Sequence, residues 1–339
     1  MRIGIVNDLA LVVEALRRAI GLRGEHSVAW TASSGEQAVE RCAQDVPDLV
    51  LMDLLMPGIG GVEATRRIMA ASPCPILIVT ASVGGNAPLV FEAMGHGAMD
   101  ATDVPSLGVD NSVGVRQLLA KIDLIGRLIG DAPVQPVRAP LVRSPGARRL
   151  VAIGASAGGP AALADLLGGL PARFPAAIVI VQHIDEKFAL SMAEWLNRFS
   201  PNPVRLAMPG DRPLAGTVLL AGTNEHLILE QGGALAYTPD PVDQPYRPSV
   251  DVFFDSINAN WTGDIVGVLL TGMGRDGAKG LQALRLRGHH TIAQDQASSA
   301  VYGMPKAAAD RGAAVDILPL NRIASKLESL FGDTRNASS

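Results

Sequence analysis

Aromatic residues are scarce. Three Trp, three Tyr and seven Phe make up 4% of 339 residues, too few for the base-stacking surfaces that hold single-stranded nucleic acids. A cationic excess is also missing. The 29 Lys and Arg face 33 Asp and Glu, a net charge of −4, which disfavours a general nucleic-acid binder. Cysteine is nearly absent. Cys42 and Cys74 lack metal-site spacing and call for no disulfide, so they read as reduced core thiols. No apolar run approaches the ~20 residues that cross a bilayer. The apolar start Ile3-Gly4-Ile5-Val6 is too short for a signal peptide. These absences predict a soluble, cytoplasmic protein that neither binds nucleic acid nor inserts into a membrane.

What is present is apolar patterning. Residues are 48% hydrophobic, and the length suits two domains with a core each. Over residues 1–125, short apolar runs alternate with helical spacing. Strands are predicted at Ile3–Val6, Val28–Thr31, Leu49–Met52, Ile76–Val79 and Ala98–Ala101. Residues 126–148 break the pattern with four prolines among small and polar residues, and read as a linker. Alternation resumes over residues 149–332, with strands at Leu150–Ile153, Ala177–Val181, Val204–Leu206, Val218–Leu220, Ile265–Leu270 and Thr291–Ala293. Residues 333–339 form a small polar tail. The fold class that follows is α/β, with two doubly wound parallel-sheet domains.

Asp8 and Asp53 follow the first and third predicted strands, where open parallel sheets place their ligands. Two converging carboxylates there suit a hard cation such as Mg²⁺, which could neutralise a phosphoryl group arriving on Asp53. Thr80 ends the fourth strand and could donate its hydroxyl to that group. Val6-Asn7-Asp8, Leu51-Met52-Asp53-Leu54-Leu55-Met56-Pro57-Gly58, Ile78-Val79-Thr80-Ala81 and Gly97-Ala98-Met99-Asp100 together resemble response-regulator receiver domains, which are flavodoxin-like. The resemblance implies Asp53 as phosphoacceptor, Mg²⁺ held by Asp8, Asp53 and the Leu55 carbonyl, and Thr80 as the switch hydroxyl. Two positions depart from that pattern. Asn7 stands where the family has a second acid, which weakens the Mg²⁺ site. Val104 precedes Pro105 where the family has lysine, which removes a charged donor to the phosphoryl group.

Gly154-Ala155-Ser156-Ala157-Gly158-Gly159-Pro160 lies between a predicted strand and a predicted helix. Small neighbours allow a tight turn and close substrate approach. The helix start offers unpaired N–H groups to a developing oxyanion. The stretch fits Gly-x-Ser-x-Gly. It fits neither a P-loop, lacking Gly-Lys-Ser/Thr, nor Gly-x-Gly-x-x-Gly. A serine nucleophile needs a base. His183 directly follows a strand in Val181-Gln182-His183; His226, His289 and His290 are alternatives that end no strand as cleanly. For the orienting acid, Asp276 follows the strand Ile265–Leu270 in a glycine-rich loop. Asp295 is a weaker rival, and Asp264 lies at the wrong strand end.

Gly154–Gly159, Val181–His183 and Leu270-Thr271-Gly272-Met273-Gly274-Arg275-Asp276-Gly277 resemble the three motifs of the CheB protein-glutamate methylesterases. Their catalytic domain is Rossmann-like, and the order of receiver, linker and hydrolase matches as well. Within the family, Ile5-Val6-Asn7-Asp8 and Leu54-Leu55-Met56-Pro57 are similar to the Wsp-pathway type. Ala157 replaces a common threonine. The resemblance implies hydrolysis of glutamate γ-methyl esters on the cytoplasmic helices of methylated chemoreceptors, with deamidation of receptor glutamines also allowed. It implies main-chain oxyanion donors near Ala157 and Met273, no cofactor for hydrolysis, and a CheA-type histidine kinase as phosphodonor. The unphosphorylated receiver is expected to block the hydrolase site. Two other readings differ in class: a non-catalytic receptor-binding regulator, and a small-molecule serine esterase with a receiver.

Overall fold

The computed structural model describes residues 1–105, 112–128 and 148–331. The chain divides into two units, Met1–Asp131 and Ala132–Ser339. Among the described residues no helix is long and apolar enough to cross a membrane.

The first unit alternates β1 (Arg2–Val6), α1 (Ala10–Gly21), β2 (Ser27–Ala32), α2 (Gly35–Gln44), β3 (Leu49–Met52), α3 (Gly61–Ala71), β4 (Ile76–Thr80), α4 (Ala87–Gly95), β5 (Asp100–Asp103) and α5 (Ser112–Leu128). Its five strands are parallel in the order β2-β1-β3-β4-β5. This is the flavodoxin-like order, with its ligand crevice at the β1/β3 switch point. β3 and β4 are buried along their whole length, as strands covered on both faces must be. α1 packs with α5, while α3 packs with α2 and α4, one layer for each face. β5 begins two residues later than its predicted start at Ala98. The Gly97 and Ala98 N–H groups close the end of α4 on Met94 and Ala93, so the strand begins only beyond them. α5 continues through Gly126, Arg127 and Leu128, beyond the expected boundary at 125, on the buried spacing Leu118, Ile122, Ile125. Most of the proline-rich segment, and the tail after Phe331, lie outside the described residues.

The second unit runs β6 (Arg148–Ala155), α6 (Gly159–Gly168), β7 (Ala177–Gln182), α7 (Glu186–Leu196), β8 (Val204–Leu206), β9 (Val218–Leu220), β10 (His226–Leu229), β11 (Leu235–Thr238), α8 (Val250–Asn260), β12 (Gly263–Leu269), α9 (Ala278–Leu286), β13 (His290–Gln294), α10 (Met304–Asp310), β14 (Asp316–Leu318) and α11 (Leu320–Phe331). Seven strands form one parallel sheet in the order β14-β13-β12-β6-β7-β9-β8. α6 packs with α7 and α11, and α9 with α8 and α10, so this sheet is doubly wound too. The chain leaves β6 towards β7 and later returns on the other side at β12. The carboxyl end of β6 is therefore the topological switch point, where such sheets bind ligands.

Three strands were not predicted. β10 and β11 form an antiparallel hairpin outside the main sheet. β14 is a three-residue edge strand. The hairpin packs under α8, whose Phe253, Phe254 and Ile257 are fully buried. α8 in turn lies close on α9 at Gly280, where a Cβ would meet the Phe254 Cβ at 2.6 Å. A larger side chain there should overpack the contact. Gly280→Val is expected to cost about 1–3 kcal/mol and to lower the urea midpoint of this unit; an unchanged midpoint would contradict the close approach.

Candidate active site

Strand register places the candidate nucleophile and the candidate base. β6 and β7 pair Ala155 with Gln182, so Ser156 and His183 are the next residues out, at the ends of adjacent strands. The His183 N–H donates to the Ala155 carbonyl at 3.0 Å. On the other side β12 pairs Leu269 with Gly154, and the Ser156 N–H donates to the Thr271 carbonyl at 3.0 Å. Ser156 thus stands between the two strand ends, 6% exposed, with its carbonyl accepting from the Gly159 N–H at 2.7 Å.

The turn after Ser156 depends on absent side chains. Gly158 has φ +79°, which a Cβ strains, and a Cβ there would meet Thr271 Oγ1 at 2.9 Å. That hydroxyl is occupied: it donates to the Ala157 carbonyl at 2.8 Å and accepts from the Val301 N–H at 2.9 Å. Gln182 ties the pair from beneath. Its amide nitrogen donates to the Ser156 carbonyl at 2.9 Å and the His183 carbonyl at 3.1 Å, one hydrogen to each.

Asp276 takes the position of the acid. Its carboxylate meets His183 Nε2 at 2.8 Å. It also accepts from Ser249 Oγ at 2.8 Å, the Val250 N–H at 2.6 Å and the Asp251 N–H at 3.0 Å. These last three form the N-terminus of α8, where the helix dipole favours negative charge. Burial would raise the Asp276 carboxyl, but the His183 hydrogen bond and charge, with the Asp251 and Val250 N–H groups, hold it below the usual carboxylate range. Neighbouring Asp251 moves the other way. Burial, then the Asp276 charge, pushes it well above that range. With Asp276 on Nε2, the other ring nitrogen, Nδ1, is buried and has no partner.

Of the rival residues, none joins this group as base or acid. Asp264 lies near the start of β12, opposite Arg149. Asp295 accepts from the Ser298 N–H and hydroxyl. His290 pairs with Asp316 at 2.8 Å, and burial lowers His289. His226 is fully buried and has a different place. Its Nδ1 accepts the Ser249 N–H at 3.1 Å, and its Nε2 faces the Pro241 carbonyl at 3.2 Å. The ring is therefore neutral with the proton on Nε2. Sequence reasoning missed Tyr246, whose ring stacks on His183 with centroids 4.1 Å apart, and the roles of Gln182 and Ser249. Ser249 alone carried a signal, as a serine ahead of an apolar helix.

The receiver site also follows from register. β1 and β3 pair Val6 with Met52, which sets Asn7 beside Asp53. Asn7 Nδ2 donates to Asp53 Oδ2 at 2.9 Å, and the Leu54 N–H to Oδ1 at 2.7 Å. Asp8 is exposed next to them. Burial raises the Asp53 carboxyl, against the Leu54 and Leu55 N–H groups and with help from the Asp8 charge. That surplus negative charge suits a cation. Two carboxylates and the Leu55 carbonyl match the sparse protein ligation of a hydrated Mg²⁺, although among the described residues no three acidic, His or Cys groups cluster as a metal site. Thr80 ends β4, its Oγ1 accepting from Asn86 Nδ2 at 3.0 Å. No lysine follows β5; Asp103 ends the strand, accepting from the Val83 N–H at 2.9 Å.

His226 gives a pH prediction. Burial, outweighing other influences, lowers it from its ordinary 6.5. A lowered histidine contributes stability above its unfolded value, and that contribution is lost as pH falls through the folded one. Below that range the protonated ring can no longer accept the Ser249 N–H. The Tm advantage of the wild type over His226→Gln should therefore shrink between about pH 7 and about pH 5; a constant gap would contradict the assignment.

Comparison with known proteins finds relatives for both units. Residues 151–327 match the CheB methylesterase family, and residues 3–103 the response regulator receiver domain. A protein-glutamate methylesterase/protein-glutamine glutaminase of Burkholderia thailandensis is 62% identical over 340 residues, covering 99% of each chain. The protein of that name from the group 3 operon of Pseudomonas putida is 60% identical, covering 98% of this chain and 99% of its own. Among solved structures, the CheB methylesterase catalytic domain of Thermotoga maritima superposes with a TM-score of 0.51 and 36% identity, over 54% of this chain and 98% of that one. With its hydrolase half matched as a domain and relatives aligned end to end, this chain belongs to the CheB methylesterase family and carries that family's receiver domain.

Proposed function

We propose that this chain is a protein-glutamate methylesterase that acts through Ser156, His183 and Asp276, and that the receiver controls it through Asp53. The observation that carries the reading is the buried, unpartnered Nδ1 of His183 at the strand end next to Ser156, with Asp276 on the opposite nitrogen. His183 Nδ1 takes the Ser156 hydroxyl proton as Oγ attacks the ester carbonyl carbon. Asp276 fixes the tautomer and stabilises the imidazolium. The N–H groups of Ala157 and Met273 enter no main-chain hydrogen bond among the described residues, which leaves them for the oxyanion. His183 then returns the proton to the departing methoxide, and methanol leaves. Water attacks the acyl-serine, its proton passes through His183 to Ser156, and the receptor glutamate is freed. The same steps on a glutamine release ammonia, in keeping with the glutaminase in the relatives' names.

Ser156→Ala should lower the release of methanol from methylated receptor by about 10⁴-fold or more; a variant that keeps most of the activity would overturn the triad. Protein glutamate esters follow the relatives' names, and methylated chemoreceptor cytoplasmic helices follow the family resemblance. Turnover of receptor esters far above that of small esters is the result that separates this reading from a small-molecule esterase.

For the receiver, Asp53 accepts the phosphoryl group from a CheA-type histidine kinase and Thr80 donates its hydroxyl to it. Asp8, Asp53 and the Leu55 carbonyl would hold Mg²⁺, which supplies charge neutralisation for the group on Asp53. Asn7 and Val104 leave this site short of one carboxylate and one ammonium. The fragment 148–339 should hydrolyse receptor esters without a phosphodonor, faster than the unphosphorylated full chain. Equal rates would contradict control by the receiver. Ile5-Val6-Asn7-Asp8 and Leu54-Leu55-Met56-Pro57 support placement in a Wsp-type surface-sensing pathway, in the cytoplasm.

A further inference from the structure

The His183 imidazole is held at its edge by one hydrogen bond, from Nε2 to Asp276. A ring held at one point can pivot about that bond, because the outer torsion of histidine is broad. Pivoting would carry Nδ1 away from Ser156, and a misplacement of ~1 Å can cost about 10²-fold in rate. Something else must fix the plane of the ring.

Tyr246 is in position to do so. It lies in the irregular segment between β11 and α8 and is buried. Its ring lies flat on His183, with centroids 4.1 Å apart and planes within 14°. Its hydroxyl donates to the Met273 carbonyl at 3.3 Å, in the loop that carries Asp276. Burial, and then the charge of Asp276, keeps the phenol protonated, so it remains a donor. One side chain thus covers the face of the base and is tied to the loop of the acid. Asp276 meets His183 at its edge and Tyr246 covers its face, with Asp251 donating its N–H to Asp276 from behind.

We propose, on the triad reading above, that Tyr246 is a positioning residue: its ring fixes the plane of His183 so that Nδ1 meets Ser156, and its π face favours the imidazolium formed on proton transfer. The second part follows from the attraction of a cation within ~6 Å of an aromatic ring centroid. The stack, rather than the hydroxyl, carries both effects.

The test uses the full chain and a methylated receptor fragment as substrate, with three variants. Tyr246→Leu keeps bulk and removes the π face. Tyr246→Phe keeps the stack and loses the hydroxyl. Ser156→Ala tests the triad itself. Tyr246→Leu should lower kcat by about ten- to a hundredfold with KM unchanged. It should also move the acid limb of the kcat profile about half a unit or more to lower pH. Tyr246→Phe should stay within about threefold of wild type, with its acid limb in place. If Tyr246→Leu does not fold, Tyr246→Met replaces it under the same expectations. Wild-type kcat and acid limb in the aliphatic variant would overturn the proposal, as would a loss in Tyr246→Phe equal to that in Tyr246→Leu. An active Ser156→Ala would instead remove the triad reading on which the proposal rests.

Discussion

A carboxylate taken out of water must collect hydrogen bonds or lose its charge. Asp276 is 6% exposed and collects four: from Ser249 Oγ, the Val250 and Asp251 N–H groups, and His183 Nε2. Three of the four come from the start of α8. The charge of Asp276 therefore depends on that helix being docked. Docking depends on Gly280 admitting Phe254 and on His226 accepting the Ser249 N–H. The hairpin β10–β11, which contributes His226 and packs under α8, is in this sense part of the active site although no residue of it touches Ser156. The glycines of the Ser156 turn play the complementary part: a Cβ at Gly158 would meet Thr271, and one at Gly159 would meet Gln182.

Parallel strands ending in chemistry were readable because both signals are local. Leu49–Met52, Val204–Leu206 and Val218–Leu220 are found where their apolar runs predicted them, and the glycine-rich turn at Ser156 announces itself. Strand alternation then brings Asp53, Thr80, His183 and Asp276 to the carboxyl edges by topology alone. What stayed hidden is tertiary. β10 and β11 pair only with each other, outside the parallel sheet, so the strand–helix alternation gave no place for them. β14 has three residues and makes sense only beside β13. Tyr246 lies in a stretch with no periodicity, and its stack on His183 joins positions 63 residues apart. His226 looked like a rival base, and only the Ser249 N–H at its Nδ1 shows that it supports the acid instead. Gln182 looked like the last residue of a strand; its bonds to the carbonyls of both Ser156 and His183 depend on the β6–β7 register.

The receiver half separates fold from chemistry. Its sheet rests on β3 and β4, buried throughout, and needs neither a second acid at Asn7 nor a lysine at Val104. Asn7 spends its amide on Asp53 and so keeps the carboxylate fixed, at the loss of one metal ligand. Asp53 remains raised by burial and by Asp8, which a bound cation would relieve. The proposed acceptor Asp53 and switch hydroxyl Thr80 would thus have less charge beside them to steady an incoming phosphoryl group.

The central claim is that Ser156 is a nucleophile activated by His183. The most direct measurement is the reaction of the full chain with a serine-directed phosphonate, followed by mass spectrometry of the peptides. The account predicts a label on Ser156 that forms at least about 10²-fold more slowly in His183→Gln. A label on another residue, or one on Ser156 that forms equally fast without His183, would contradict it.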